Sequence, residues 1–495
     1  MAKQKNLKQK AASGMVWTSI QKFSKTGIRF ISGIVLARLL TPFDYGCIGM
    51  LTVFITFSES FIDCGFGSAL IQKKHPTQTD YSTIFWWNLA LSSVMYFILF
   101  LSAPAISRFY SIPILCDVLR VQGLILFIYA LNLIQRNQLR KQLKFKILAI
   151  TRISSSFICL IVTIAMAYMG FGVWALVTQY LLGAAIPAVV YWIYTNWRPS
   201  WTYSWNSFRE LFSFGFFMFL TSMINNLTGQ IQNLLIGRVY DPTTLGYYSK
   251  AQSTEGLASH TISGVMTSVT YPLYAEVQDD MPRMHNMIKR LTSTIAYLTF
   301  PLLALLLLIA KPIFLILYSD RWLESVPYFQ LLCIAGIATC ISAVNTQPIA
   351  AIGKSKVMFS WTIIKRIIGI SFVIIGLFTY GMWGLMVGVI LNCWFGIIVN
   401  IGLVSKYIGY HWTKQASDLL PIVGITLVCA LISYFVVNAF GLNIYVDGVL
   451  KLCVFVLIYL SWSHFFHPES YTYTKDVLKP LLLKYKIKLN NHSLN

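Results

Sequence analysis

The sequence predicts an all-α polytopic membrane protein with about fourteen transmembrane helices, built from two parallel six-helix repeats and two C-terminal helices. Three observations predict this fold class: the composition, the pattern of the apolar runs, and two pairs of repeated motifs. The 495 residues are 56% hydrophobic and 11% charged, whereas a soluble domain usually has about 25% charged residues. Such a composition cannot cover a water-facing surface, so it indicates an integral membrane protein.

The long apolar runs predict helices rather than barrel strands. Residues 300–317 and 423–440 are apolar without alternation, and a barrel strand would need about 10 residues of alternating polarity. A segment in lipid must satisfy its own backbone groups, which favours a helix. In chain order the predicted spans are 14–38, 45–63, 82–107, 113–134, 147–169, 173–196, 208–236, 244–271, 291–318, 327–351, 357–379, 383–405, 418–439 and 445–464.

The basic residues predict the orientation of these helices. Most of the 39 Lys and Arg residues fall in the N-terminus, in alternate loops and in the C-terminal tail. The opposite loops carry chiefly Arg38, Arg108, Arg238 and Arg321. Because basic loops stay in the cytoplasm, both termini are expected there. The net charge of +22 also suits anionic lipid heads, while its spread over many short loops argues against nucleic acid.

Two pairs of motifs predict an internal duplication. The pattern R-x-x-x-P-x-x-x-G occurs at 38–46 and again at 238–246. The pattern G-x-W-x-L occurs at 172–176 and again at 381–385. Turn residues and interfacial Trp recur by chance, but two repeats in one order at nearly one offset favour duplication. Parallel repeats are typical of transporters.

The predicted organisation leaves no room for a soluble catalytic domain. We expect no enzyme activity, since Walker, GxSxG and HExxH motifs are missing from the sequence. The nine cysteines form no CxxC pair, so we expect neither a metal nor another cofactor. The predicted segments are a basic N-terminus 1–13, a first lobe 14–203, a second lobe 204–415, two further helices 416–465 and a basic cytoplasmic tail 466–495.

Cations inside predicted spans indicate an anionic substrate. Lys22, Lys25 and Arg29 share one face of the first helix, and each would cost about 3 kcal/mol at a bilayer centre. That face must therefore line water or meet anions. Further candidates are Lys250 and the pair Lys365 and Arg366, the pair lying roughly 15 Å deep in its helix. Snorkelling to an interface explains Arg152 and Lys451 equally well.

Acidic and amide side chains within spans have two interpretations each. Glu59, Asp63 and Glu255 could pair with buried cations or couple transport to H⁺ or Na⁺. Asn225, Asn226 and Gln230 could join helices or contact sugar hydroxyls. Together with the cations and apolar walls, these residues favour a large amphipathic anion as substrate.

The chain resembles the Wzx-type lipid-linked oligosaccharide flippases, close to the colanic-acid exporter branch of the multidrug/oligosaccharidyl-lipid/polysaccharide exporter superfamily. The resemblance is carried by RLLTPFDYG (38–46), CGFGSALIQKKHPTQTDYSTIFWWN (64–88), GFGVWALVTQYL (170–181) and GRVYDPTTLGYYSKAQS (237–253). It covers roughly residues 10 to 465 and says little about the sugar.

The resemblance implies two six-helix lobes forming a V and alternating access driven by an ion gradient. The implied substrate is an undecaprenyl-pyrophosphate-linked oligosaccharide, moved from the cytoplasmic to the outer leaflet for capsule, exopolysaccharide or O-antigen synthesis. Lys22, Lys25 and Arg29 match the family's pyrophosphate-holding cations. The alternatives are a peptidoglycan-precursor lipid flippase, a multidrug or cation antiporter of the same superfamily and, less consistent with the short outer loops, a polytopic glycosyl polymerase.

Overall fold

The computed structural model describes residues 2–466 and 469–472, and the described chain is predominantly helical. The rest of the predicted tail 466–495, namely 467–468 and 473–495, lies outside the described residues. In chain order the helices are α1 Ala2–Leu39, α2 Pro42–Asp63, α3 Phe66–Gln72, α4 Gln78–Tyr110, α5 Ile114–Gln122, α6 Ile125–Lys141, α7 Phe145–Tyr168, α8 Val173–Tyr194, α9 Trp205–Val239, α10 Pro242–Glu276, α11 Met281–Leu308, α12 Ala310–Tyr318, α13 Ser325–Ala351, α14 Ser355–Ile408, α15 Trp412–Asn438 and α16 Ile444–Phe466.

The predicted count of fourteen long helices is confirmed for the described residues. Eleven helical segments there are long and apolar enough to cross a membrane. One of them, within α14, runs for 53 residues, about 80 Å at 1.5 Å per residue, which is enough to cross twice. It is interrupted at Tyr380 and Gly381 and therefore counts as two helices. The two polar long helices α1 and α10 complete the fourteen.

Three predicted spans are wrong in their boundaries. The first was expected to begin at residue 14, but α1 begins at Ala2. The fourth was expected to end at residue 134, but α6 continues to Lys141, so the basic stretch that looked like a loop is helical. The ninth was expected at 291–318, but α11 covers Met281–Leu308 and the short helix α12 follows it. In all three places polar or basic residues extend a helix beyond its apolar part.

The second repeated motif has the same backbone conformation in both copies. Gly172 begins α8 with φ 53° and ψ −126°, and Gly381 interrupts α14 with φ 62° and ψ −139°. Only glycine adopts this region readily. The leucine of each copy, Leu176 and Leu385, is buried. The two copies are therefore structural equivalents, as duplication predicts.

Replacing Gly381 by alanine is expected to destabilise the protein. A side chain in this backbone region costs about 1–3 kcal/mol, so the thermal unfolding temperature in detergent should fall. Gly402→Ala is the matched control, because Gly402 is helical and an added Cβ there meets nothing within 4 Å. Equal unfolding temperatures for the two variants would contradict the structural role of Gly381.

The chain folds as two compact units, Met1–Ser249 and Lys250–Asn495. In the first unit an aromatic core around Phe66, Phe85 and Phe208 joins α3, α4 and α9. The second unit has its own core, formed chiefly by residues of α11, α13, α14 and α15. The repeat boundary predicted at 203/204 remains a prediction, since α9 lies in the first unit.

The connection between α8 and α9 is fixed to the start of α4. The hydroxyls of Ser82 and Ser200 are 2.9 Å apart, and the indole N–H of Trp86 donates to the carbonyl of Ser200 at 2.9 Å. The backbone N–H of Ser204 donates to the hydroxyl of Thr83 at 3.0 Å. Hydrogen bonds therefore hold this connecting segment against the start of α4.

Lys73 adds an ionic contact at the same end of the unit. Its ammonium lies 3.1 Å from a carboxylate oxygen of Asp80 and 2.9 Å from one of Glu210 at the start of α9. Desolvation acts against the positive charge, but the two carboxylates outweigh it and raise the pKa of Lys73. The pairing fastens α9 to the α3–α4 corner.

Candidate substrate site

The three cations predicted on the first helix lie on an exposed part of α1. Lys22, Lys25 and Arg29 are all exposed. Within the first unit, α1 packs mainly on α7, and Gly14 allows close approach because a Cβ there would meet the ring of Phe145 at 2.6 Å. The packing on one side leaves the cationic face of α1 available to a ligand.

Helices α6 and α7 add three arginines to this region. Lys25 lies within electrostatic range of Arg29 and of Arg152 on α7. Arg152 in turn is close to Arg140 on α6, which is close to Arg136 one turn earlier. We call these five residues the cation series. Like charges so close repel one another unless anions or water separate them, so the arrangement favours an anionic ligand.

The acidic residues of α2 lie at the α6 end of the cation series. Arg136 is within electrostatic range of Glu59, and both Arg136 and Arg140 are within range of Asp63. The backbone N–H groups of Gly65 and Gly67 also point at the Asp63 carboxylate. These neighbours favour the pairing role for both acids, and their role in ion coupling remains a prediction.

Arg136 and Arg140 are candidate site residues that sequence reasoning missed. Because the fourth span was expected to end at 134, both were assigned to a basic loop and used only to predict orientation. For Arg152, snorkelling to an interface and a functional role were equally consistent with the sequence. The available signal was the i, i+4 spacing of the two α6 arginines, which places them on one face of a continued helix.

The second unit holds Lys365 in a hydrogen-bonded network. The ammonium of Lys365 donates to the side-chain carbonyl of Asn400 at 2.8 Å. The Asn400 amide donates to the hydroxyls of Ser342 at 2.6 Å and Thr346 at 3.0 Å. The network fixes the ammonium between both halves of α14 and α13. Its neighbour Arg366 is likewise half-buried.

Lys250 occupies a buried aromatic setting instead of an open face. Lys250 is 3% exposed. Its ammonium lies 4.0 Å from the ring centroid of Tyr318 and 5.4 Å from that of Trp322. Such cation–π contacts stabilise a buried cation. This setting favours a structural role for Lys250, and substrate binding by it remains a prediction. Lys451 is also buried, and its ammonium lies 2.8 Å from a carboxylate oxygen of Asp447.

Glu255 is buried on α10 in the second unit. Its carboxylate points at Gly336, where the missing Cβ leaves the necessary space. Ser259 is beside it, and the thiols of Cys333 and Cys340 are within electrostatic range. One carboxylate oxygen has no hydrogen-bond partner within the described part of the chain. Glu255 thus differs from the two acids of α2, which face arginines.

The three predicted amides of α9 have different surroundings. Asn226 donates to the hydroxyl of Ser60 at 2.7 Å and so ties α9 to α2. Gln230 accepts a hydrogen bond from Asn233 at 2.8 Å. Asn225 is exposed. The helix-joining interpretation therefore accounts for Asn226, and sugar contact by any of the three remains a prediction.

Comparison with known proteins identifies the family of the chain. Residues 35–327 match the model of a family described as "Polysaccharide biosynthesis protein". The chain belongs to this family. Its relatives include the succinoglycan biosynthesis transport protein ExoT of Rhizobium meliloti, 23% identical with 88% of each chain covered. The lipopolysaccharide biosynthesis protein WzxC of Escherichia coli is 22% identical over 78% of this chain and 79% of its own.

A solved structure has the same fold as this member of the polysaccharide biosynthesis family. The lipid II flippase MurJ in an inward closed conformation superposes with a TM-score of 0.72 at 15% identity, covering 94% of this chain and all of MurJ. At this identity the likeness concerns the fold. It agrees with the predicted polytopic transporter architecture.

Proposed function

We propose that this protein is a flippase that moves an undecaprenyl-pyrophosphate-linked oligosaccharide from the cytoplasmic to the outer leaflet of the bacterial inner membrane. The observation that carries the proposal is the cation series, in which α1, α6 and α7 bring five positive side chains together. Arginine forks match phosphate oxygens geometrically, and lysine supplies a point charge. A pyrophosphate is an anion of suitable charge for such a site.

Apolar side chains beside the cations suit the lipid part of this substrate. Phe23, Phe30 and Ile31 of α1 are exposed next to Lys22, Lys25 and Arg29. A pyrophosphate cannot cross hydrocarbon unaided, because burying an isolated charge costs far more than binding can return. Positive side chains in a hydrated site would replace its water. The names of ExoT, a transport protein, and MurJ, a lipid flippase, support the same class of activity.

The electrical potential would assist this movement. An inside-negative membrane favours outward movement of an anion by about 2.3 kcal/mol per charge per 100 mV. Coupling to H⁺ or Na⁺ is a further part of the proposal, and Glu255 is the acid best placed for it, since the two α2 acids already face arginines. Cytoplasmic termini agree with the basic N-terminus.

The charges argue against a multidrug or cation antiporter. Such a protein would need acidic residues to bind its substrate, whereas the five residues of the cation series outnumber the two acids near them, Glu59 and Asp63. A peptidoglycan-precursor flippase would bind its pyrophosphate with the same positive charges. Identifying the lipid-linked glycan that the protein moves in the cell therefore distinguishes the two functions. The proposed activity is transport and requires no catalytic residue or cofactor.

The proposal is tested by deleting the gene in its host. We expect lipid-linked repeat units to accumulate in the cytoplasmic leaflet, where a glycosidase added outside does not reach them, and surface polysaccharide to disappear. Restoring the wild-type gene should reverse both effects. Accumulation of single repeat units already outside would indicate a polymerase instead. A block in peptidoglycan synthesis alone would indicate the peptidoglycan precursor.

A further inference from the structure

Helices α1 and α9 occupy equivalent places in the two repeats. The arginines of the first repeated motif, Arg38 and Arg238, lie in the last turns of α1 and α9. Each helix ends one residue after its arginine, and the following helices begin at Pro42 and Pro242. All these pairs are separated by 200 residues. Each position of α1 therefore has an equivalent 200 residues later, in α9.

The cationic face of α1 has an uncharged equivalent on α9. The residues 200 positions after the three α1 cations are, in the same order, Ser222, Asn225 and Gly229. All three are exposed, as the three cations are. Their spacing places them on one side of the helix, which rises about 10 Å from the first to the last. We call these three residues the neutral face of α9.

The neutral face is polar although α9 is long and apolar enough to cross a membrane. Burying an amide or a hydroxyl in hydrocarbon without a hydrogen-bond partner is costly, so this side of α9 is unsuited to lipid chains. It is also separate from the contact between α9 and α2, where Asn226 donates to the hydroxyl of Ser60 at 2.7 Å. The neutral face is therefore suited to a polar ligand.

The side chains of the neutral face match sugar hydroxyls better than phosphate. Asn225 has both N–H donors and a carbonyl acceptor, and the hydroxyl of Ser222 both donates and accepts. A Cβ added to Gly229 would meet nothing within 4 Å, so a sugar ring can approach the helix backbone there. A pyrophosphate instead favours the charge-assisted hydrogen bonds that lysine and arginine supply. The loss of all three charges thus favours an uncharged ligand.

We propose that the neutral face of α9 binds the oligosaccharide of the lipid-linked substrate, while the cation series binds its pyrophosphate. Equivalent helix faces of the two repeats then recognise different parts of one molecule, and their charge decides which part each one binds. This inference rests on the proposed function, because it divides the proposed substrate between α1 and α9. It predicts that the two parts of the substrate can be lost from binding separately.

Binding of two labelled lipids to the purified protein tests this division. One lipid is the undecaprenyl-pyrophosphate-linked oligosaccharide, and the other is undecaprenyl pyrophosphate without sugar. The wild type should bind the first about 10-fold more tightly, as expected for two additional uncharged hydrogen bonds. The double variant Ser222→Ala with Asn225→Ala should bind both lipids equally. Its affinity for the sugar-free lipid should stay at the wild-type value, which also shows that the variant is folded.

Two controls separate sugar binding from general effects. Lys25→Ala should weaken binding of both lipids by the same factor and keep the preference. Ser213→Ala should change neither affinity, because Ser213 lies nine residues before Ser222, on the opposite side of α9, and its hydroxyl donates to the carbonyl of Glu210 at 2.9 Å.

Three results would overturn the division between α1 and α9. They are a wild type without preference, a double variant that keeps the preference, and a double variant that loses affinity for both lipids equally. If the wild type binds neither lipid, the proposed function itself fails.

Discussion

Replacing Lys25 by glutamate is expected to abolish export of the lipid-linked oligosaccharide. Lys25 lies within electrostatic range of both Arg29 and Arg152, so a carboxylate there would attract both arginines and repel pyrophosphate. A charge-assisted hydrogen bond to a phosphate oxygen contributes about 1.5–3 kcal/mol, and the reversed charge adds repulsion to this loss. Export should therefore fall by at least about 30-fold, since 1.4 kcal/mol is a factor of 10. The measurement is surface polysaccharide in the deletion strain, normalised to the amount of protein in the membrane.

Lys146→Glu is the matched control for this variant. Lys146 is exposed at the start of α7, where its ammonium lies 5.7 Å from the ring centroid of Trp17, outside the cation series. The same change of charge there should leave export near the wild-type level. Lys25→Arg should retain most of the activity because the positive charge remains. Normal export by Lys25→Glu would remove the cation series from the transport mechanism.

Replacing Glu255 by glutamine is expected to uncouple transport from the ion gradient. A buried carboxyl group without a facing cation can take up and release an ion without breaking an ion pair, and the amide cannot. Ser259 and Gly336 lie beside the carboxylate of Glu255. In vesicles, an imposed gradient of H⁺ or Na⁺ should stimulate the wild type strongly. The variant should transport only at the rate seen without a gradient.

Glu210→Gln serves as the control for the loss of an acid. The Glu210 side chain is 62% exposed and pairs with Lys73 at the surface of the first unit. Its replacement should leave stimulation by the gradient unchanged. If Glu255→Gln is stimulated as strongly as the wild type, Glu255 does not carry the coupling ion. The α2 acids Glu59 and Asp63 would then be the next residues to replace.

Composition and repeated motifs were sufficient to predict the fold. The apolar runs predicted fourteen long helices, and the structure has them in the described residues. The G-x-W-x-L repeat predicted equivalent positions, and Gly172 and Gly381 indeed share one unusual backbone conformation. Such features are local, so the sequence carries them directly. Helix ends were harder to predict, because α6 continues through basic residues beyond its apolar part.

The site could be predicted only in part, because it depends on which helices meet. The shared face of Lys22, Lys25 and Arg29 follows from helical spacing alone. Arg152 and Arg140 extend this region only because α1, α6 and α7 lie near one another, and helical spacing does not predict which helices meet. Lys250 lies against the ring of Tyr318, which is 68 residues later in the chain. Periodicity does not reveal such distant partners.

The most direct test of the central claim uses purified protein in vesicles with a labelled undecaprenyl-pyrophosphate-linked oligosaccharide in the inner leaflet. Appearance of label outside is followed with an enzyme that cannot enter. The account predicts rapid outward movement with the wild-type protein and only background movement with Lys25→Glu. Background movement with the wild type, or equal movement with both proteins, would contradict it.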